Sequence, residues 1–168
     1  MKPVHKLYGV LVLALLASGG VVFPAVAQQQ DAAAFRKQLI GSYKLMSYLS
    51  FDQNGTATKL PYSGGQIYYD AAGRMGAQLM RADRPRMSSP STEAERAAAY
   101  GGFVSYYGSF TVDAEKRSVT HHFEGSMSPN MVTQPLTRYV EFSPDNKSLF
   151  LSVKNGDRVA GRLQWDRY

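Results

Sequence analysis

The sequence predicts an all-β protein, an eight-stranded antiparallel up-and-down barrel with a short N-terminal helix and one helix between strands 3 and 4. Three observations lead there. From Gly41 onward the apolar rhythm runs in twos, turn-forming clusters interrupt it at hairpin spacing, and the strands follow one another with few longer connections. A consecutive arrangement of this size hides its sheet edges by closing on itself. A sandwich, whose strands are similarly spaced, is the alternative.

Residues 1–27 read as a removable export signal. Lys2, His5 and Lys6 form a basic start, Leu7 to Ala17 an apolar core too short to span a bilayer, and Ala25-Val26-Ala27 a small-x-small cleavage pattern. Cleavage leaves one domain over residues 28–168, exported to a periplasm or secreted, with no integral membrane segment. Two of the 19 Lys and Arg and none of the 13 Asp and Glu lie in the leader, so part of the basic excess belongs to the leader alone. No basic helix or RNA-binding motif is present, and nucleic acid is set aside as a partner. The chain has no cysteine, which excludes disulfides, thiolate zinc sites and a cysteine nucleophile.

Asp31 is placed to cap a helix over Ala32 to Leu39, with Phe35 and Leu39 on one face. Tyr43, Leu45 and Ser47 alternate with Lys44, Met46 and Tyr48 in the first strand, which the turn residues Asp52 to Gly55 end. Gly65 to Tyr69 and Arg74 to Met80 flank a hairpin turn at Asp70 to Gly73, where Gly73 accommodates positive φ. Thr92 and Glu95 form a capping box for a helix ending at Tyr100, before Gly101-Gly102. Five strands follow, over Phe103–Val112, Ser118–Ser126, Arg138–Ser143, Leu149–Val153 and Val159–Arg167.

Alternation assigns faces. The inward rows are Met75, Ala77 and Leu79, leading to Arg81; Tyr106, Gly108, Phe110 and Val112; Val119, His121 and Phe123; Arg138, Val140 and Phe142; Leu149, Leu151 and Val153; and Leu163 with Trp165. Arg81, Tyr106, His121 and Arg138 are the polar exceptions. Buried charge is costly unless paired or hydrated, so these groups line a wet cavity or its mouth, or a bulge has reversed their faces. An apolar wall with few polar anchors suits a small, partly anionic or carbonyl-bearing molecule.

Adjacent strand residues project oppositely, so His121 and His122 cannot share an ion, and His122 with Glu124 is too few ligands for a catalytic zinc. No metal or other cofactor is expected. No Gly-x-Ser-x-Gly elbow occurs. One inward histidine with a tyrosine or arginine is enough for proton transfer next to a carbonyl, which makes His121 the catalytic candidate, against a merely structural wall histidine. Arg81, Arg84 and Arg86 around Asp83 form either an anion-attracting gate or a solvated loop stapled by its own acid.

Several runs resemble the bacterial and fungal lipocalin-like domain family: Gly41-Ser42-Tyr43-Lys44-Leu45, Ile67-Tyr68-Tyr69-Asp70, Gly73-Arg74-Met75 and Ala77 to Arg81. The similarity continues through Tyr106-Tyr107-Gly108, Thr120-His121-His122 with Glu124-Gly125-Ser126, Pro129-Asn130, Arg138, and Leu163-Gln164-Trp165. The resemblance covers residues 36–168 and implies a small calyx-type barrel. Some members are associated with natural-product pathways, where related barrels act as cyclases or isomerases. Lipocalins open with Gly-x-Trp and brace that Trp with a late basic residue; here Tyr43 stands in the Trp place and Arg167 is the candidate brace.

The reading that results is a monomeric or weakly dimeric exported barrel binding a small hydrophobic or amphipathic molecule. Tyr69, Tyr106, His121 and Arg138 are expected to line the pocket, with Arg81 and Asn130 near its rim. The alternatives are a cofactor-independent isomerase or cyclase acting on a carbonyl compound through His121, and an envelope interaction protein with a solid barrel.

Overall fold

The computed structural model describes residues 24–168. The leader expected over residues 1–27 lies outside the described residues, except that the backbone of 24–27 opens α1 (Pro24–Leu39). The chain continues through β1 (Gly41–Phe51), β2 (Ala57–Lys59), β3 (Tyr62–Tyr69), β4 (Arg74–Arg81), α2 (Glu93–Gly101), β5 (Phe103–Asp113) and β6 (Ser118–Ser126). A 3-10 turn (Pro129–Thr133), β7 (Leu136–Phe142), β8 (Ser148–Asn155) and β9 (Arg158–Arg167) complete it. The strands pair antiparallel in the order β1-β3-β4-β5-β6-β7-β8-β9, and β9 returns onto β1. Eight strands thus form a closed barrel. Closure leaves no free edge in the ring.

Two expectations are corrected. The second helix lies between β4 and β5, not between strands 3 and 4. The cause is β2, which pairs with Leu49 to Phe51 at the end of β1 and stands outside the ring. Its three residues are all exposed, so no alternation marks it in sequence. The first helix starts at Pro24, and Asp31 lies inside it instead of capping it. Proline suits the first helical position, and the alanines and glutamines that follow contain no breaker.

Local chemistry forms α2 and the β3–β4 turn as read. The Thr92 side chain accepts from the Glu95 backbone N–H while the Glu95 carboxylate accepts from Thr92 N–H, closing the capping box of α2. At the β3–β4 turn Gly73 takes φ +88°, and its N–H donates to the Asp70 carbonyl.

α1 closes one end of the barrel. Phe35 and Leu39 are buried against the core, and the Phe35 ring meets Phe142 edge-on at 6.4 Å. Tyr43 donates to the Leu39 carbonyl at 2.8 Å, and the Arg167 guanidinium stacks over the Tyr43 ring at 4.7 Å. Arg167 also donates to the carbonyls of Ile40 and Gln38, both at 2.9 Å. Gly41 makes this possible: its φ is +151°, and a Cβ there would collide with the Arg167 guanidinium. The expected brace is present.

The opposite end is the mouth, where β1, β4, β6 and β8 finish. Two irregularities shape it. β1 carries a bulge at Met46, between the pairs Leu45↔Trp165 and Ser47↔Gln164, which brings Tyr48 opposite Leu163 on the inner face. β6 pairs with β7 only from Ser118 to His121, so above His121 the ladder parts. The 3-10 turn packs against β6 there, with the Ser126 hydroxyl 3.5 Å from the Met131 sulfur.

Candidate functional site

Inside the mouth half lies a cavity of about 150 Å³. Its wall is aliphatic and aromatic (Ile67, Leu79, Val104, Leu151, Leu163), and Tyr48, Tyr62, Tyr106, Met131, Trp165 and Arg138 add the polar or adaptable groups. Tyr48 and Tyr62 stack with ring centres 5.7 Å apart. Arg138 is half-buried, and its only hydrogen bond goes to the carbonyl of its own neighbour Thr137, at 3.4 Å. The Trp165 indole nitrogen is buried without a partner. Among the described residues, no carboxylate lines the cavity.

Two of the expected ligand-binding residues, Tyr106 and Arg138, reach this cavity. Tyr69 and His121 do not line it; they sit in the sealed wall below. The Tyr69 hydroxyl and His121 Nε2 are 2.7 Å apart, both side chains are buried, and Tyr69 packs edge-on against Phe110 at 5.0 Å. Tyr106 lies above them, its ring 5.9 Å from His121 and 4.9 Å from Phe123. His121 Nδ1 has no partner.

Arg81 and Asn130 stand apart from the cavity lining. The Arg81 guanidinium grips Asp83 through Nε at 2.8 Å and Nη2 at 2.6 Å, so the loop is stapled by its own acid. Asn130 is exposed in the 3-10 turn, and its neighbour Met131 faces inward instead. His122 points outward and bonds Thr111 at 2.9 Å, while Glu124 is held by Arg74 at 2.7 Å. The two histidines therefore face opposite sides of the sheet.

The electrostatics agree with this layering. Burial drives His121 down to about 3, and the positive charges of Arg138 and then His122 push the same way. Burial raises the Tyr69 phenol well above its ordinary value and raises Tyr106 as well, with Arg138 opposing both. One unneutralised guanidinium acts on all three groups, lowering each. At neutral pH the imidazole and both phenols are uncharged, and among the described residues Arg138 is the one ionic group on the cavity wall.

Sequence reasoning missed Tyr48, Tyr62 and Met131. Tyr48 changed face through the Met46 bulge, for which no residue signal exists. Tyr62 belongs to a strand that starts three residues earlier than alternation suggests, across an irregularity between Tyr62 and Gly64. A larger open groove of about 670 Å³ runs between α1 and the β5–β6 turn, but Asp31, Glu115 and Arg117 already mix both signs of charge there.

A closed eight-stranded barrel, plugged at one end by a helix and hollow at the other, defines a calyx-type protein. The chain belongs to the lipocalin-like domain family, whose sequence model matches residues 40–168. No curated protein matches it. The fold suggests small-molecule binding in general terms. Among the described residues, no helix is long and apolar enough to cross a membrane.

Proposed function

We propose that the chain is exported, trimmed after Ala27, and binds one small hydrophobic or amphipathic molecule in the mouth half of the barrel. One observation carries the reading: the cavity joins an apolar wall to a guanidinium, Arg138, whose side chain makes one long hydrogen bond and leaves its other donors unused. A barrel whose role was only to present its outer surface gains nothing from such a group inside. Burial of ligand hydrocarbon drives association at roughly 25 cal/mol per Å², and the polar groups set orientation. The enzyme reading is weaker. A general base works best with a pKa near the operating pH, and His121 is held far below it. Binding is retained as the function, in a periplasmic or secreted monomer or weak dimer.

Native mass spectrometry of protein isolated from its own host tests both parts. The expected spectrum shows a chain starting at Gln28 and a second species heavier by one small molecule. A chain retaining residues 1–27 overturns export with cleavage, and a ligand-free spectrum at the gentlest activation overturns carriage.

A further inference from the structure

Among the described residues, the wall of the cavity has one cation and no acid. Residues 1–23, outside the description, contain no Asp or Glu, so no carboxylate can reach Arg138 from them either. Several arginines are matched: Arg74 with Glu124, Arg81 with Asp83, Arg162 with Glu141, and Arg167 with backbone carbonyls. Arg84 and Arg117 lie over the rings of Phe103 and Phe35. Arg138 differs from all of these in lining the hollow, half-buried, with its side chain bonded only to the adjacent carbonyl. A guanidinium partly withdrawn from water is costly unless an anion meets it. The Trp165 side chain lines the same hollow, while its indole nitrogen is buried out of contact with the open space.

Resting on the binding reading above, we propose that the cavity's ligand is a small monocarboxylate. Its carboxylate meets the Arg138 guanidinium, and its hydrocarbon lies among Ile67, Leu79, Leu151, Leu163 and the Trp165 ring. Size follows from volume. A cavity of about 150 Å³ holds a benzene ring, whereas drug-sized ligands take about 300–1,000 Å³. A single aromatic ring or short branched chain fits, and a long acyl chain does not unless most of it leaves through the mouth. One guanidinium balances one charge, and its planar fork matches the two carboxylate oxygens. The phenols of Tyr48, Tyr62 and Tyr106 complete the polar rim.

Trp165 is the only tryptophan, so its fluorescence reports the cavity directly. The test is titration at pH 7.5 with benzoate, benzyl alcohol and benzylamine, three probes of similar size and different charge. Benzoate is expected to give a saturable change and to bind at least tenfold tighter than benzyl alcohol, with benzylamine weakest. R138Q should remove the preference, weakening benzoate tenfold or more while benzyl alcohol changes less than twofold. Benzyl alcohol binding as tightly as benzoate to the unaltered chain overturns the charge inference alone, whether or not R138Q folds. Failure of all three probes to saturate overturns the binding reading as well. Retention of the benzoate preference in folded R138Q overturns the role of Arg138.

Discussion

Two arginines, at opposite ends of the same barrel, show what each end is for. At the closed end Arg167 lies over the Tyr43 ring and donates to Ile40 and Gln38, while Tyr43 itself is fully buried and bonded to Leu39. At the mouth Arg138 stands beside apolar side chains with almost nothing to bond. The first arginine is part of the packing. The second has its interaction capacity left over, and a group left over beside a hollow is what a ligand completes. In the proposed reading, the plugged half holds the barrel together and the open half receives the ligand.

The sharpest break between the halves concerns water. If the wall beneath the cavity is as dry as the Tyr69–His121 pair indicates, His121 stays neutral in the folded chain far below the pH at which it protonates when unfolded. The unfolded chain then binds the extra proton from about pH 6.5 downward, and the folded one only near 3. Stability is therefore full above pH 6.5 and falls as acid is added through that window. The loss should be about 2 kcal/mol between pH 8 and pH 5 and on the order of 4 kcal/mol by pH 3. The upper part of the window isolates His121, because Glu95, Asp52, Asp83, Asp113, Glu124 and Asp145 are all shifted below ordinary carboxylate values and contribute only at lower pH. Urea titrations at several pH values check this. His121→Gln should flatten the profile between pH 8 and 5, and an unchanged slope means the wall is wet.

The brace gives a smaller effect. Arg167→Ala removes the cation over Tyr43, frees the Gln38 and Ile40 carbonyls at the end of α1, and breaks the longer bond to the Asn146 carbonyl. The guanidinium is largely exposed, so water replaces some of its bonds, and a loss of about 1–2 kcal/mol is expected from denaturant midpoints. Ligand affinity should change little, since the closed end does not touch the cavity.

How far the sequence could be read follows the same division. The regular parts were legible because their signals are local or strictly periodic: the Thr92–Glu95 box beside the mouth, Gly73 in its turn at the closed end, and the buried rows Met75-Ala77-Leu79 and Tyr106-Gly108-Phe110 that run between the two ends. The Gly41-Ser42-Tyr43 start and the late Arg167 also met as expected. The cavity was legible where alternation ran unbroken, at Leu79, Tyr106, Arg138, Leu151, Leu163 and Trp165. It failed wherever the mouth departs from regular strand. The Met46 bulge turned Tyr48 inward, the 3-10 turn exposed Asn130 and presented Met131, and Asp83 drew Arg81 aside. Tyr69 and His121 were correctly turned inward but lie beneath the hollow, because alternation gives the face of a residue and not its height along the barrel.

The smallest expected change in stability separates the two arginines most cleanly. Arg138→Met replaces a half-buried cation having one weak bond with an apolar side chain of similar length. No counter-ion is stranded by the change, since none lines the cavity, so the usual penalty for breaking a pair does not arise. The ligand-free protein should keep its stability or gain up to about 1 kcal/mol, opposite in sign to Arg167→Ala. His121 should protonate more readily in the variant, because the nearby positive charge is gone, and Tyr69 should become still harder to ionise. Melting in the absence of ligand and NMR titration of the His121 ring measure both effects. A marked destabilisation would mean that Arg138, like Arg167, holds the wall together, and the distinction between a scaffold arginine and a ligand arginine would fail.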